Sequence, residues 1–218
     1  MFPVTLYYFS PALIISSAFH GIINGSFIIF TLQFLLSIPF GRLFCGYICP
    51  AGGIQECAFL INDKIPKQNR KNYIKYGVWL IWISVIIIIY AKTGKIEYID
   101  FFYETENGIS VTNIYSYIIY YGIVLIIFIP CVIFGKRVFC RYFCWMAPFM
   151  VIGIKIRNII SLPGLHIIGD NEKCVSCGKC NQKCPMGLNI EEMIKTKEVK
   201  SMECIQCGVC IDECPQKA

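Results

Sequence analysis

Histidine is almost missing from this sequence. Only His20 and His166 occur in 218 residues. A transmembrane b-type haem is held by paired axial ligands, usually histidines. His166 falls in a linker near the C-terminal cysteines and cannot pair with His20 inside a membrane, so a haem relay is not expected. Charge is also scarce, at 16% of residues, and residues 1–41 carry no charged side chain at all. With no positive n-region and no cleavage site of small residues, that stretch does not read as a secretory signal peptide. Residues 135–160 contain no acid, against five bases. The net charge of +6 is not a nucleic-acid signature, because the basic residues lie beside apolar runs and act there as topology signals. No nucleic-acid partner is expected.

What the chain has in abundance is apolar surface. It is 56% hydrophobic, with a mean hydropathy of +0.59, too apolar for a soluble two-domain protein. Three stretches predict membrane spans: about 22–41, Tyr76–Ala91 and Ile114–Phe134. Pro3, Pro11, Gly21 and Gly25 break up the first half of residues 1–41, which reads as a short re-entrant or interfacial helix ahead of the first span. The second span is short, and flanking Lys75 and Lys92 are expected to snorkel. Loop 42–75 carries six Lys/Arg against Glu56 and Asp63, whereas 93–113 carries one Lys and four acids. The positive-inside rule then puts 42–75 and 135–160 in the cytoplasm and 93–113 outside. Residues 149–162 read as an interfacial helix ended by Pro163-Gly164. The predicted organisation is an α-helical integral membrane domain, residues 1–162, followed by a small cytoplasmic domain, 163–218, with membrane lipid as its first partner.

Fourteen cysteines organise the function. Eight fall in two copies of one pattern: Cys174-x2-Cys177-x2-Cys180-x3-Cys184-Pro185 and Cys204-x2-Cys207-x2-Cys210-x3-Cys214-Pro215. This is the ligand run of bacterial ferredoxins with two [4Fe–4S] clusters, in which the fourth cysteine of each run serves the other cluster. One cluster is therefore assigned to Cys174, Cys177, Cys180 and Cys214, the other to Cys204, Cys207, Cys210 and Cys184, in a small α+β domain. Cysteines three apart around tight turns are poorly placed to form disulfides with each other. Few large apolar residues follow Asp170, so metal binding must supply much of this segment's folding free energy. Between the runs, Asn189 and Glu192 predict a capping box for a helix over 190–196. Reducing conditions suit such clusters, which agrees with the cytoplasmic side.

Four more cysteines form an internal repeat. Arg42-Leu43-Phe44-Cys45-Gly46-Tyr47-Ile48-Cys49 is echoed by Arg137-Val138-Phe139-Cys140-Arg141-Tyr142-Phe143-Cys144. Both copies follow a predicted span, so Cys45, Cys49, Cys140 and Cys144 reach one membrane depth. Four thiolates there would suit a third Fe–S cluster, a zinc ion or a redox dithiol pair. Cys57 and Cys131 are left over and read as ordinary packing residues, as does His20, for which a quinone contact is the alternative.

The run Gly41-Arg42-x2-Cys45-Gly46-x2-Cys49-Pro50-x-Gly52-x2-Gln55-Glu56 resembles the membrane motif of polyferredoxins of the NapH and NosR type. That family is also similar in its second Cys-x3-Cys and its C-terminal double ferredoxin. The likeness covers most of residues 10–218 and is to the short form, without a flavin-bearing domain. It departs after Cys144, where the family has proline and this chain has Trp145, with Pro148 later. The resemblance implies membrane-bound electron transfer of the quinol-dehydrogenase kind, feeding a reductase outside the membrane. The residues alone leave two roles open. One is an oxidoreductase subunit that passes electrons between the clusters and a quinone or a partner redox subunit. The other is an accessory reductase or conduit for a metal or cofactor in a larger complex. A soluble donor such as a ferredoxin is an expected partner of the cytoplasmic clusters.

Overall fold

The computed structural model describes residues 6, 8–66, 70–94, 98–105, 109 and 114–218. Expectations for residues 1–5 and 7, and for 67–69, 95–97, 106–108 and 110–113 in the two loops, lie outside the described residues. Helix α1, Pro11–Phe19, starts on a proline, whose missing N–H costs nothing in a first turn. Strand β1, Ile22–Asn24, follows and pairs in parallel with β2, Tyr98–Asp100. Asn24 Oδ1 then accepts the Phe27 N–H at 2.9 Å and caps helix α2, Gly25–Phe40. This shortens the first predicted span. Pairing and capping take residues 22–24 out of the helix. The 16 residues that remain reach about 24 Å at 1.5 Å per residue, short of a hydrocarbon layer of about 30 Å.

Among the described residues, two helices are long and apolar enough to cross a membrane by length and composition. One is α5, Ile74–Thr93, entered through the 3₁₀ turn Arg70–Tyr73. The other is Ile114–Phe134, with the bounds expected of it (α6 below). Lys75 does not snorkel outward. It is fully buried and pairs with Glu203.

Each copy of the Arg/Cys repeat folds as a long helix, a five-residue helix and a second helix. The first copy is α2, α3 (Leu43–Tyr47) and α4 (Pro50–Cys57). The second is α6 (Ile114–Phe134), α7 (Val138–Tyr142) and α8 (Ala147–Ile160). The copies interlock: α4 packs on α6, and α8 packs on α2. Helix α8 is thus not a lone interfacial helix. Met150, Val151 and Ile154 are buried, and a Cβ at Gly153 would overlap Ser37 Oγ on α2. Its open positions are Lys155 and the last turn, with Ile159 and Ile160.

The C-terminal segment has three short helices, α9 (Lys179–Lys183), α10 (Ile190–Ile194) and α11 (Val209–Asp212). Its strand content among the described residues is one isolated bridge, Ile168 with Glu198, so the cysteine loops leave less β structure than an α+β fold implies. The cap of α10 also differs from the expected box. Asn189 spends its amide on Glu192 Oε2 (2.7 Å), and Asn181 Oδ1 from the preceding run accepts the Glu191 N–H at 3.0 Å. Cys45 and Met150 share one apolar core with Cys184, Met186, Leu188 and Ile205, so the two halves are joined through their cysteine regions.

Candidate metal centres

The two C-terminal runs fold alike, residue for residue. The residue before the second cysteine is left-handed in both, Ser176 at φ 51° and Gln206 at φ 54°. So is the glycine after it, Gly178 at 69° and Gly208 at 78°. Successive turns of this kind point backbone N–H groups into a concavity that receives anions. Each last cysteine receives a backbone N–H on its sulfur, from Leu188 to Cys184 at 3.5 Å and from Ala218 to Cys214 at 3.4 Å. Cys174, Cys177, Cys180 and Cys214 border one hollow, which Cys210 also reaches; Cys184, Cys204, Cys207 and Cys210 border a second. Burial pushes the Cys210 thiol up to about 12, helped by Cys204, Cys207 and Cys184. Burial likewise raises Cys204, Cys207 and Cys180, the last also through Cys174 and Cys177. The backbone N–H of Ala218 lowers the exposed-side Cys214.

The paired motifs repeat a local fold of their own. In α3, Phe44 O accepts the N–H groups of Ile48 (3.0 Å) and Cys49 (2.9 Å); in α7, Phe139 O accepts those of Phe143 and Cys144, both at 3.0 Å. The four cysteines converge on one cavity of about 380 Å³, which Arg42 also lines. They are close enough to act on one another. Burial first, then Cys140 and Cys45, push the Cys144 thiol up to about 12. Cys49 is raised by burial, Cys45, Cys140 and Cys144. Cys45 is raised by burial and held back by Arg42. Such thiols keep their protons until a metal takes the protons' place.

Two buried cations stand at this site, Arg42 and Arg137, at 0% and 1% exposure; Arg141, equally buried, turns away to Asn72 and Pro66 O. Burial works against the Arg42 charge, yet Cys45, Glu203, Cys144 and Cys140 together raise its pKa. Arg137 is raised in the same way against its burial, by Cys140 and Glu56. Arg137 donates to Cys45 O at 3.0 Å and pairs with Glu56, so the second copy holds the first. Two further residues bridge the copies in opposite directions. Gln55 donates to Cys140 Sγ at 2.9 Å, and Cys45 Sγ lies 3.3 Å from Met150 Sδ.

Among the described residues, no three Cys, His or carboxylate groups are gathered tightly enough to hold a single metal ion. This is as true of the C-terminal runs as of the paired motifs. A zinc ion draws its sulfurs to about 2.3 Å from one point. A four-iron cluster spreads its thiolates over four irons. The donor set, four thiols with the guanidinium groups of Arg42 and Arg137 beside them, fits the larger anionic group. The N–H groups at Arg42 Nε, Arg42 Nη2 and Arg137 Nε are buried beside it without a hydrogen-bond partner.

Sequence reasoning named the cysteines but gave no role to Gln55, Met150, Glu203 or the arginines. The arginines' place in the repeat was the one available signal. Cys131, read as ordinary, is fully buried, and its Sγ donates to Gln55 Oε1 at 3.2 Å, steadying the amide that reaches Cys140. Cys57 is exposed. His20 is exposed, with Nδ1 3.0 Å from Tyr103 Oη and outside the cavity lining.

Fold and donor set together define an iron–sulfur electron-transfer protein with ferredoxin-type domains. A 4Fe-4S dicluster domain family matches residues 166–215, and a 4Fe-4S binding domain family matches twice, over 25–68 and 118–163. The second match falls on the two copies of the interlocked repeat. The uncharacterized protein MJ0750 of Methanocaldococcus jannaschii is 30% identical over 172 residues, 75% of this chain and 67% of its own length. The chain belongs to the same family of 4Fe–4S ferredoxin-type proteins. It is also similar to the methylamine utilization ferredoxin-type protein MauN of Paracoccus denitrificans, at 23% identity over 80% of this chain and 60% of MauN. YccM of Escherichia coli, whose name assigns it to electron transport, is 23% identical over 76% of this chain and 47% of its own. The chain thus spans about half to two thirds of these curated relatives. No solved structure matches it.

Proposed function

We propose that this chain is a membrane-bound iron–sulfur electron carrier with three metal centres. Cys174, Cys177, Cys180 and Cys214 would hold one [4Fe–4S] cluster and Cys184, Cys204, Cys207 and Cys210 a second. Cys45, Cys49, Cys140 and Cys144 would hold the third. When bound, the clusters supply reversible one-electron chemistry. The protein's contribution is position, counter-charge and exclusion of water. One observation carries the reading: thiols from two repeats meet in one cavity lined by the buried Arg42, with the buried Arg137 beside it.

The cavity extends from those thiols between α1 and α6, past Phe9, Ile123 and Trp145, to Ser16 and Glu104. Ser16 Oγ donates to Glu104 Oε1 there at 2.8 Å. An apolar slot with a few polar groups at one end is the form of a small-molecule site. It favours a quinone as the exchange partner over direct contact with another subunit. A partner redox subunit, or an accessory role in reducing a metal or cofactor, is the second reading. It draws support from the outer faces of α5 and α6, where only 22% and 11% of the apolar windows are buried. Lipid would cover what a partner does not. The cytoplasmic-membrane location, with the C-terminal cysteines in the cytoplasm, rests on this apolar surface and on the charge asymmetry of the loops. Likeness to the short NapH and NosR type rests on the motif around Cys45 and Cys49.

Anaerobic iron and sulfide quantification with EPR tests the assignment. Three four-iron clusters amount to about twelve irons per chain, falling to about eight in Cys45→Ser/Cys140→Ser. About eight in both proteins would remove the third cluster. Retention in the membrane pellet after an alkaline carbonate wash tests the location. A quinone-dependent change in the EPR of the wild type, lost when Ile123→Trp fills the cavity, separates the quinone from the partner reading.

A further inference from the structure

The three thiol sets are not equally placed. The inner C-terminal set, Cys184, Cys204, Cys207 and Cys210, lies against the paired motifs. The outer set, Cys174, Cys177, Cys180 and Cys214, lies beyond it, with Cys177 exposed. Contact with the inner set is close. A Cβ at Gly46, next to Cys45, would stand 2.5 Å from Ile205 O and 3.4 Å from Cys207 N. Only hydrogen fits there, so glycine lets the two cysteine loops touch through their backbones. Glu203, which precedes Cys204, accepts from Arg42 at 2.7 Å and from Lys75 at 2.5 Å. Both cations are fully buried, so undocking would strand them unpaired. Arg42 acts electrostatically on Cys45 and on Cys204, and so stands between the two sets.

We propose that Gly46, Arg42 and Glu203 are a positioning device. They seat the inner thiol set on the paired-motif thiols and leave the outer set as the face open to a soluble one-electron donor. This rests on the metal loading of all three sets argued above. One electron leaves the reduced donor at the outer face and one arrives at the paired-motif site. The order of the sets is fixed by packing and not by diffusion of a tethered domain.

The test uses the whole protein in lipid vesicles. Gly46→Leu keeps every thiol, every arginine and Glu203; Glu203→Gln keeps shape and removes charge. Both variants should retain the wild-type iron content. Hydrogen exchange at residues 204–208 should quicken by about tenfold or more as local opening becomes easier. The magnetic interaction between the inner and paired-motif centres should weaken in EPR. Rapid-freeze transfer from a reduced soluble ferredoxin to the paired-motif site should slow roughly tenfold to a hundredfold, the sensitivity of positioned sites to small displacements. Glu203→Asp should recover most of the loss. Val175→Glu, at a 61% exposed position beside the outer thiols that is not itself a ligand, should slow reduction by the ferredoxin and leave reduction by methyl viologen at the wild-type rate. Unchanged exchange and coupling in Gly46→Leu, or wild-type ferredoxin rates in Val175→Glu, would overturn the proposal. Wild-type protein holding about eight irons instead of about twelve would strike the third cluster alone. Exchange at 204–208 in Gly46→Leu would still decide the seating.

Discussion

The two copies of Arg-x-Phe-Cys-x-Tyr-x-Cys fold the same way and are used differently. In each, a phenylalanine carbonyl gathers two N–H groups and brings the second cysteine back beside the first. The arginines then diverge. Arg137 turns to the other copy, to Cys45 O and Glu56. Arg42 turns to Glu203, 161 residues away in the C-terminal half. One copy braces the thiol site from within, and the other couples it to the incoming clusters. A duplicated motif keeps its local fold because that is set by nearby residues. It acquires two roles because the carboxylate each arginine meets differs, Glu56 of the neighbouring copy for Arg137 and Glu203 of the C-terminal half for Arg42.

The strongest way to break that comparison is Glu203→Ala. It leaves Arg42 and Lys75, both fully buried, without a counter-charge. Removing one partner of a buried pair costs about 3–5 kcal/mol. We expect that loss as a lower urea midpoint in detergent, with residues 163–218 released first to limited proteolysis. Arg137→Leu should act on the other copy and cost less, about 2–3 kcal/mol for charged hydrogen bonds to a half-exposed Glu56 and a buried carbonyl. Its signature is the reverse: the C-terminal half stays docked while the paired-motif thiols become reactive to a maleimide. Equal proteolysis of the two variants would erase the distinction between the arginines.

These differences also mark the limit of what the sequence tells. The cysteine runs were legible because ligand spacing is local, and Ile114–Phe134 because an uninterrupted apolar run fixes both ends of a helix. The repeat was legible, and with it the four paired thiols as a candidate set. The partners of Arg42, Lys75 and Gln55 were not, because they lie 161, 128 and 85 residues away. No periodicity records such pairings. The β1–β2 pairing escaped for the same reason, and it cost the first predicted span its opening turn. Lys75 was misread because a lysine at the end of an apolar helix has two solutions, lipid headgroups or a buried acid. Only the fold supplies the acid.

A smaller effect sharpens the comparison at the bridges between copies. Gln55→Leu should cost about 1–2 kcal/mol by stranding buried donors and acceptors at Cys131 and Cys140. Cys131→Ala should cost less, since Gln55 keeps its bond to Cys140. A lower urea midpoint for Cys131→Ala than for Gln55→Leu would mean that Cys131, not the amide, is the steadying group.

The last effect concerns protons and is read in the metal-free chain. The Cys144 thiol is pushed up to about 12, from an ordinary 9.0, by burial and then by Cys140 and Cys45. Below pH 9 the thiol is protonated in the folded and the unfolded chain, and its contribution is fully present. Between pH 9 and 12 the unfolded chain releases the proton and the folded chain keeps it. Stability must therefore fall as pH rises through that window. Cys144→Ala should flatten the fall in the urea midpoint. In the loaded protein the dependence reverses sign, because metal binding requires the thiolates and acid returns their protons. Loss of iron on acidification, set beside loss of metal-free stability on alkalinisation, would tie both effects to the same converged thiols. A flat metal-free profile for wild type would mean that Cys144 is solvated, and the convergence of the two copies would have to be given up.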